Sequence, residues 1–347
     1  MTPFSNKTKK SFNRRNLLVG LGAIGSLTGM GLYHSINKHD PEIMPQDISP
    51  QMIRIAYLKN EENQLLTIAQ TKGFLKHYKI SLDPIANIKN KTQIFDLLKT
   101  NQCDAAILSI LDWLPQLLKS HSEGGKLMIG LNGGDFRLLV THKQKIQRLM
   151  DLANLSIGIQ PHSEKEKLFF SILLRRKGIN PDLNVKWVEL EKDELLPALL
   201  SGQIQALIGS DPFIWRILHH NNKKLFQLAG SQTGSWSQRI NYVLGISNHF
   251  QQSNPLALKY LATAIRNASV WQSQHIQEAS QILTDEWQKM RPEEILKMFL
   301  NENRNMAIIN DNLWEQVAQY IDEFKLLGQV PNSLKSGRIA KQFCVTL

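Results

Sequence analysis

Leu98-Lys99-Thr100-Asn101-Gln102-Cys103-Asp104-Ala105-Ala106-Ile107-Leu108-Ser109 decides the fold, because its outline recurs at a constant offset of 101 in Leu199-Leu200-Ser201-Gly202-Gln203-Ile204-Gln205-Ala206-Leu207-Ile208-Gly209-Ser210. Leu, Gln, Ala, Ile and Ser coincide at 98/199, 102/203, 105/206, 107/208 and 109/210. Upstream of the first copy, Ile53-Arg54-Ile55-Ala56-Tyr57 alternates as a strand does, Gln64 to Lys76 has helical periodicity ending near Gly73, and Ile80-Ser81-Leu82 is extended again. Upstream of the second, Leu155-Ser156-Ile157-Gly158-Ile159 opens the same series. A helix over Lys165–Lys177, Gly178 and the extended Val185-Lys186-Trp187-Val188 follow it. Each half is thus a strand-helix-strand-helix-strand unit, which needs a largely parallel sheet with right-handed crossovers. A further strand, Tyr242-Val243-Leu244-Gly245-Ile246, precedes a mostly helical tail from Pro255 to about Gly328. The expected class is α/β, with two lobes. The first comprises residues 51–141 plus the return after 243, running to 347, and the second 142–242, so that the chain passes between them twice and makes a hinge.

Length and composition agree with two domains of ordinary globular sequence: 347 residues, 42% hydrophobic and 20% charged. The net charge of +11 is partly an N-terminal effect. The first fifty residues carry Lys7, Lys9, Lys10, Arg14, Arg15 and Lys38 against Asp40, Glu42 and Asp47, leaving +8 spread thinly over the rest. No basic stripe interleaved with aromatics, helix-turn-helix or zinc spacing accompanies it, so the chain reads as one with no nucleic-acid partner. Cys103 and Cys344 belong to no C-x-x-C or Cys/His cluster; a disulfide between them stays open for an oxidising compartment.

The N-terminus points to export. Residues 1–15 hold five cations and no acid, and the uncharged, glycine-rich Asn16–Tyr33 follows, which is the layout of a signal segment. Across the boundary, Asn13-Arg14-Arg15-Asn16-Leu17-Leu18 resembles a twin-arginine motif. Residues 1–33 are therefore a Tat-like signal or anchor, and 34–50, with Pro41, Pro45 and Pro50, a linker. No clear small-residue cleavage site follows, which leaves a tethered form open.

In open parallel sheets ligands lie beyond the carboxyl ends of the strands, beside helix N-termini. That rule selects Ser109 (with Asp112), Asn132 and Gly133 in the first half, and His162, Ser163, Ser210, Asp211, Trp236 and Ser237 in the second, as ligand-binding candidates. Trp236 between hydroxyls offers a wall and donors, or a hinge tryptophan. Glu61, Glu62, Asp112 and Asp211 lie at the predicted mouth, where Arg137 and Arg239 are possible counter-charges. His219-His220 lacks a third ligand nearby, and no metal or cofactor is expected. G-x-S-x-G, Walker, H-E-x-x-H and Rossmann glycine patterns do not occur, so the sequence points away from an enzyme.

Strand, loop and helix around Ile53–Phe74, the segments Cys103–Ser109, Leu138–Thr141 and Ile146–Ile159, Phe169–Trp187 with Arg176-Lys177-Gly178-Ile179-Asn180-Pro181-Asp182, and Gly202–Phe213 together resemble substrate-binding proteins of the nitrate/sulfonate/taurine, NMT1-like class. The resemblance covers about residues 51–345 and rests on order and spacing. It implies a periplasmic binding protein type II fold, a monomer closing on a small polar or anionic solute, and an ABC permease and ATPase as membrane partners. Two alternatives are kept: pyrimidine-precursor binding or synthesis on the same fold, for which the cysteine-rich segment of such enzymes is missing, and a membrane-tethered sensor. If the Tat reading holds, replacing Arg14 and Arg15 together by Lys leaves the protein in the cytoplasm on cell fractionation; unchanged export removes the assignment.

Overall fold

The computed structural model describes residues 49–58, 63–120, 122–284, 290–301 and 313–346. The signal segment, nearly all of the linker, and Glu61 and Glu62 lie outside the described residues. The chain runs β1 (Gln51–Ala56), α1 (Gln64–Thr71), α2 (Phe74–His77), β2 (Ile80–Pro84), α3 (Lys91–Lys99), β3 (Ala105–Ser109), α4 (Ile110–Ser120) and β4 (Lys126–Gly133). Then follow β5 (Phe136–Thr141), β6 (Leu155–Ile159), α5 (Glu164–Arg176), β7 (Val185–Glu189), α6 (Leu195–Ser201), β8 (Ala206–Ser210), α7 (Phe213–His220) and β9 (Leu225–Gly230). The return is β10 (Ile240–Ile246), α8 (Asn248–Ser253), α9 (Pro255–Gln274), α10 (Ile276–Ile282), α11 (Pro292–Asn301), α12 (Leu313–Leu326) and α13 (Ser336–Phe343).

Two five-stranded sheets result, ordered β2-β1-β3-β10-β4 and β7-β6-β8-β5-β9. In each, four strands share a direction and one runs against them: β10 is antiparallel to β3 and β4, and β5 to β8 and β9. The 101-residue repeat is visible in the wiring. After each helix the chain turns through a left-handed residue, Asn101 (φ 57°) in one copy and Gly202 (φ 83°) in the other. The next polar side chain then does the same work twice: Asp104 Oδ2 accepts the Arg54 N–H (2.9 Å) and Gln205 Oε1 accepts the Ser156 N–H (3.0 Å). Each thereby occupies a backbone donor at the start of the ladder that joins the neighbouring parallel strand.

Strand pairing moves two of the expected boundaries. Phe136–Thr141, assigned from sequence to the first lobe, pairs with β8 and β9 in the second sheet. Ile240–Tyr242, assigned to the second lobe, pairs with β3 and β4 in the first. The physical reason is that each crossing delivers the antiparallel strand of the sheet it enters, and a sequence pattern shows a strand without showing which sheet takes it. The tail also divides. Helix α9 packs on α1, α2, β2 and β4, whereas α12 packs on both α4 and α5 and so touches both halves. Cys103 and Cys344 are buried free thiols, which answers the disulfide question in the negative.

The crossings are Gly134-Asp135 and Ser231–Arg239, and they abut. Ser231 Oγ accepts the Phe136 N–H (2.9 Å) and its own N–H donates to the Phe136 carbonyl (3.0 Å). A Cβ on Gly134 would lie 2.3 Å from Ser231 Oγ and 2.4 Å from its Cβ, whereas one on Gly133 would meet only the Arg239 carbonyl at 3.6 Å. Gly134→Ala is therefore expected to destabilise the fold by about 1–3 kcal/mol, and Gly133→Ala to change it by less than about 0.5 kcal/mol. Urea unfolding of the two variants measures the difference; equal stabilities would mean that the crossings are not packed against each other.

Candidate functional site

The carboxyl ends of the strands turn helix N-termini and polar side chains toward the space between the sheets. On the first sheet Ser109, Tyr242 and Asn132 stand side by side across β3, β10 and β4. Asn63, the N-cap of α1, accepts the Leu65 N–H with Oδ1 (2.9 Å) and donates from Nδ2 to Asn132 Oδ1 (2.7 Å). Asn132 in turn donates to the Gly133 carbonyl (3.0 Å). Ser109 Oγ donates to Asn241 Oδ1 (2.6 Å), and Asn241 Nδ2 donates to Asp135 Oδ1 (3.0 Å), so one buried chain of hydrogen bonds joins the end of β3 through β10 to the first crossing.

The second half contributes the first turn of α5. Ser163 is its N-cap without a side-chain capping bond, leaving the half-buried hydroxyl uncommitted to the helix. Lys165 and Glu166 follow, 8% and 6% exposed, an unusual degree of burial for adjacent opposite charges. Lys165 Nζ donates to Tyr242 Oη across the lobes (3.0 Å), with the ammonium 5.2 Å from the ring centroid. Ser210 Oγ donates to Glu166 Oε1. Lys91, on α3, pairs with buried Asp112 (2.7 Å) and lies 3.8 Å from Glu164 of α5. Burial alone would lower the Lys91 ammonium, but the Asp112 carboxylate outweighs it and holds the group above its ordinary range. Asp211 is spent on structure: its carboxylate accepts two bonds from Arg137 (2.8 Å each), and Arg137 Nη1 donates to Gln227 (2.6 Å).

The sequence-selected residues therefore separate. Ser109, Asn132, Gly133, Ser163 and Ser210 sit at the facing strand and helix ends. His162 is exposed, in a left-handed turn (φ 62°). Trp236 and Ser237 fall in a short 3-10 turn, Gly234–Gln238, of the second crossing. Trp236 is 7% exposed, with Phe169 edge-on at 5.0 Å, Tyr320 at 6.0 Å and the Arg239 guanidinium 4.0 Å over its ring. Its faces are covered by hinge and tail residues, so the tryptophan wall expected at the cleft is a hinge core residue. Ser237 Oγ donates to the Gly234 carbonyl (2.8 Å) and closes that turn. The residues missed are Lys165, Glu166, Asn241 and Tyr242, while Asn63 falls in the Leu58–Gln64 loop that the strand-end rule also selects. For Lys165 and Glu166 the signal was present, since they occupy the first turn after the Gln160–Ser163 loop, but charges there read equally as a solvated helix start.

Three solved structures share this architecture. The periplasmic aliphatic sulphonate-binding protein SsuA of Escherichia coli superposes with a TM-score of 0.67 at 15% identity, over 86% of this chain and 93% of that one. The periplasmic nitrate-binding protein NrtA of Synechocystis PCC 6803 gives 0.61 at 15% identity, over 84% and 86%. A Candida albicans protein described as having the generic periplasmic binding protein fold gives 0.60 at 14%, over 85% and 96%. None of the curated proteins matches the chain in sequence. Among the described residues no helix is long and apolar enough to cross a membrane. The architecture is that of a periplasmic binding protein, two α/β lobes on a two-crossing hinge, and over residues 46–284 the chain matches the NMT1-like family, to which it belongs.

Proposed function

We propose that this protein is the monomeric, exported solute-binding component of an ABC importer, carrying a small polar solute between its lobes to a membrane permease and ATPase without transforming it. The observation that supports this best is the Lys165–Tyr242 contact, in which a buried ammonium at a helix start on one lobe reaches the central strand end of the other. Groups that meet across a hinge can both contribute to a solute held there, each hydrogen bond adding about 0.5–1.5 kcal/mol, and more to a charged group. Lys165 and the α5 N-terminus provide a positive centre for a sulfonate-type or carboxylate acceptor. Glu166, Ser210, Asn63 and Asn132 surround it with groups that also receive donors. A solute with both acceptor and donor groups, of the taurine or sulfonate type, suits this lining better than bare nitrate.

A thermal-shift screen of taurine, alkanesulfonates, nitrate, amino acids and pyrimidines tests the reading. A true ligand at 100 times its Kd adds about 2.7 kcal/mol of stability. Lys165→Met is expected to weaken that ligand at least tenfold in calorimetry, since a charge-assisted bond is lost from a buried site. Trp236→Ala should do the reverse, costing about 3–5 kcal/mol of stability while the folded fraction keeps its affinity. A ligand whose affinity ignores Lys165 but falls with Trp236 would move the site from the cleft to the hinge.

A further inference from the structure

We propose that the two lobes are latched by an imidazole–carboxylate pair, His220 with Glu294, and that this latch strengthens as the pH falls from 8 toward 5.5. His220 ends α7, which packs on β5, β8 and β9 of the second sheet. Glu294 lies in the first turn of α11. That helix packs on α10, and α10 packs on α1 and α9 of the first lobe, where Lys72 Nζ is 2.8 Å from Glu278. His220 Nε2 donates to Glu294 Oε1 at 2.9 Å, so the bond joins elements carried by different lobes. The pair stands off the hinge axis. Strand β9 separates His220 from the second crossing, and its length of roughly 20 Å makes a lever over which a rotation that parts the lobes breaks the bond.

The carboxylate is built to stay charged. Its side chain is 9% exposed, Oε2 accepts the Arg291 N–H (3.1 Å) and lies 3.7 Å from Arg291 Nε. Burial works against the ionised form, yet the Arg291 N–H and the His220 ring outweigh it and hold Glu294 below the usual carboxylate range. His220, by contrast, is 51% exposed. Imidazole is the side chain that changes charge between pH 5 and 8, and a bond from a cation to a carboxylate is about twice as strong as one from a neutral donor.

The other titratable groups near the pair leave this sign unchanged. His219 lies 5.9 Å from the His220 ring and is itself stacked on Trp215 at 4.5 Å. Arg216, Lys223 and Lys224 flank His220 along the chain, Glu293 precedes Glu294, and beneath α7 Arg137 of β5 is engaged by Asp211 and Gln227. The inference rests on the two-lobed fold and does not depend on which solute is carried.

Spin labels at Met52→Cys and Leu183→Cys test it on the full-length chain. Both positions are exposed, 66% and 80%, and the native Cys103 and Cys344 are buried with their thiols pushed up to about 12, so they stay unlabelled. The latched fraction in the interlobe distance distribution is expected to rise about fivefold relative to the open one from pH 8 to pH 5.5. His220→Phe and Glu294→Gln should each abolish that response, and His220→Arg should hold the lobes latched at both pH values. A parent protein that does not respond, a His220→Phe variant that responds like the parent, or a His220→Arg variant no more latched than His220→Phe would each overturn the proposal.

Discussion

The abutment of the two crossings at Gly134 and Ser231 is the constraint from which the rest of the molecule follows. There the chain passes between the sheets twice within the width of one missing Cβ. Two Ser231–Phe136 hydrogen bonds lock the crossings side by side, and the buried Ser109–Asn241–Asp135 chain ties the first of them to a strand end of the first sheet. These polar groups satisfy one another, while Gln232 Nε2 in the second crossing is a buried donor without a partner among the described residues. The packed crossings fix where the two sets of strand ends face each other, and so where Lys165 can meet Tyr242.

Helix α12, in the tail, stiffens the same region from behind. Gln316 accepts the Ile240 N–H (2.7 Å) and donates to the Gln238 carbonyl (3.2 Å), while Tyr320 donates to the Ile240 carbonyl (2.7 Å). Glu323 is shared between Arg239 of the crossing (2.9 Å) and Arg176 at the end of α5. Glu323 is buried but the Arg176 side chain is 41% exposed, so desolvation of the carboxylate and solvent screening of that arginine leave the triad little net stability to add. What it supplies is position: the carboxylate has one geometry in which both guanidinium groups and the Trp236 ring are accommodated. Trp236 packs between Phe169, Tyr320 and Arg239, so the apolar core runs unbroken from one half through the hinge into the tail. Motion of the lobes is thereby confined to rotation about a packed pivot.

How much of this was legible follows from the nature of each signal. The 101-residue repeat was legible from the coincidences at 98/199, 102/203, 105/206, 107/208 and 109/210, whereas the backbone needs shared at 101/202 and 104/205 are met by different residue types and show only in the structure. Strand membership was not legible at Phe136–Thr141, since an apolar strand carries no mark of its neighbours when it is buried on both faces. The site was half legible. Serines and asparagines at strand ends were found by position, but Lys165, Glu166 and Tyr242 gain their meaning only from the opposite lobe. Trp236 misled for a definite reason: an aromatic between hydroxyls satisfies a cleft and a tight hinge turn equally well, and only its neighbours at 169, 239 and 320 decide.

The repeat also shows how a pseudo-symmetric fold acquires an asymmetric site. Ser109 and Ser210 end equivalent strands, and in a strictly symmetric molecule both would have the same partners. The residue before Tyr242, the partner of Ser109, is Asn241, which turns that hydroxyl inward toward Asp135; the residue before Phe136, the partner of Ser210, is Asp135, whose carbonyl instead receives the Asp211 N–H (3.0 Å). Ser210 is released to meet Glu166, at the face where Lys165 crosses to the other lobe. In register, Tyr242 beside Ser109 stands where Phe136 stands beside Ser210. The phenol supplies a hydrogen-bond partner for the ammonium, and the phenyl packs on Phe169 at 5.2 Å and anchors the hinge. Each copy of the repeat gives one group to the joint, Ser109 or Phe136, and its register partner, Tyr242 or Ser210, to the interlobe face, a division that lets a single backbone pattern both hold the lobes together and leave polar chemistry between them.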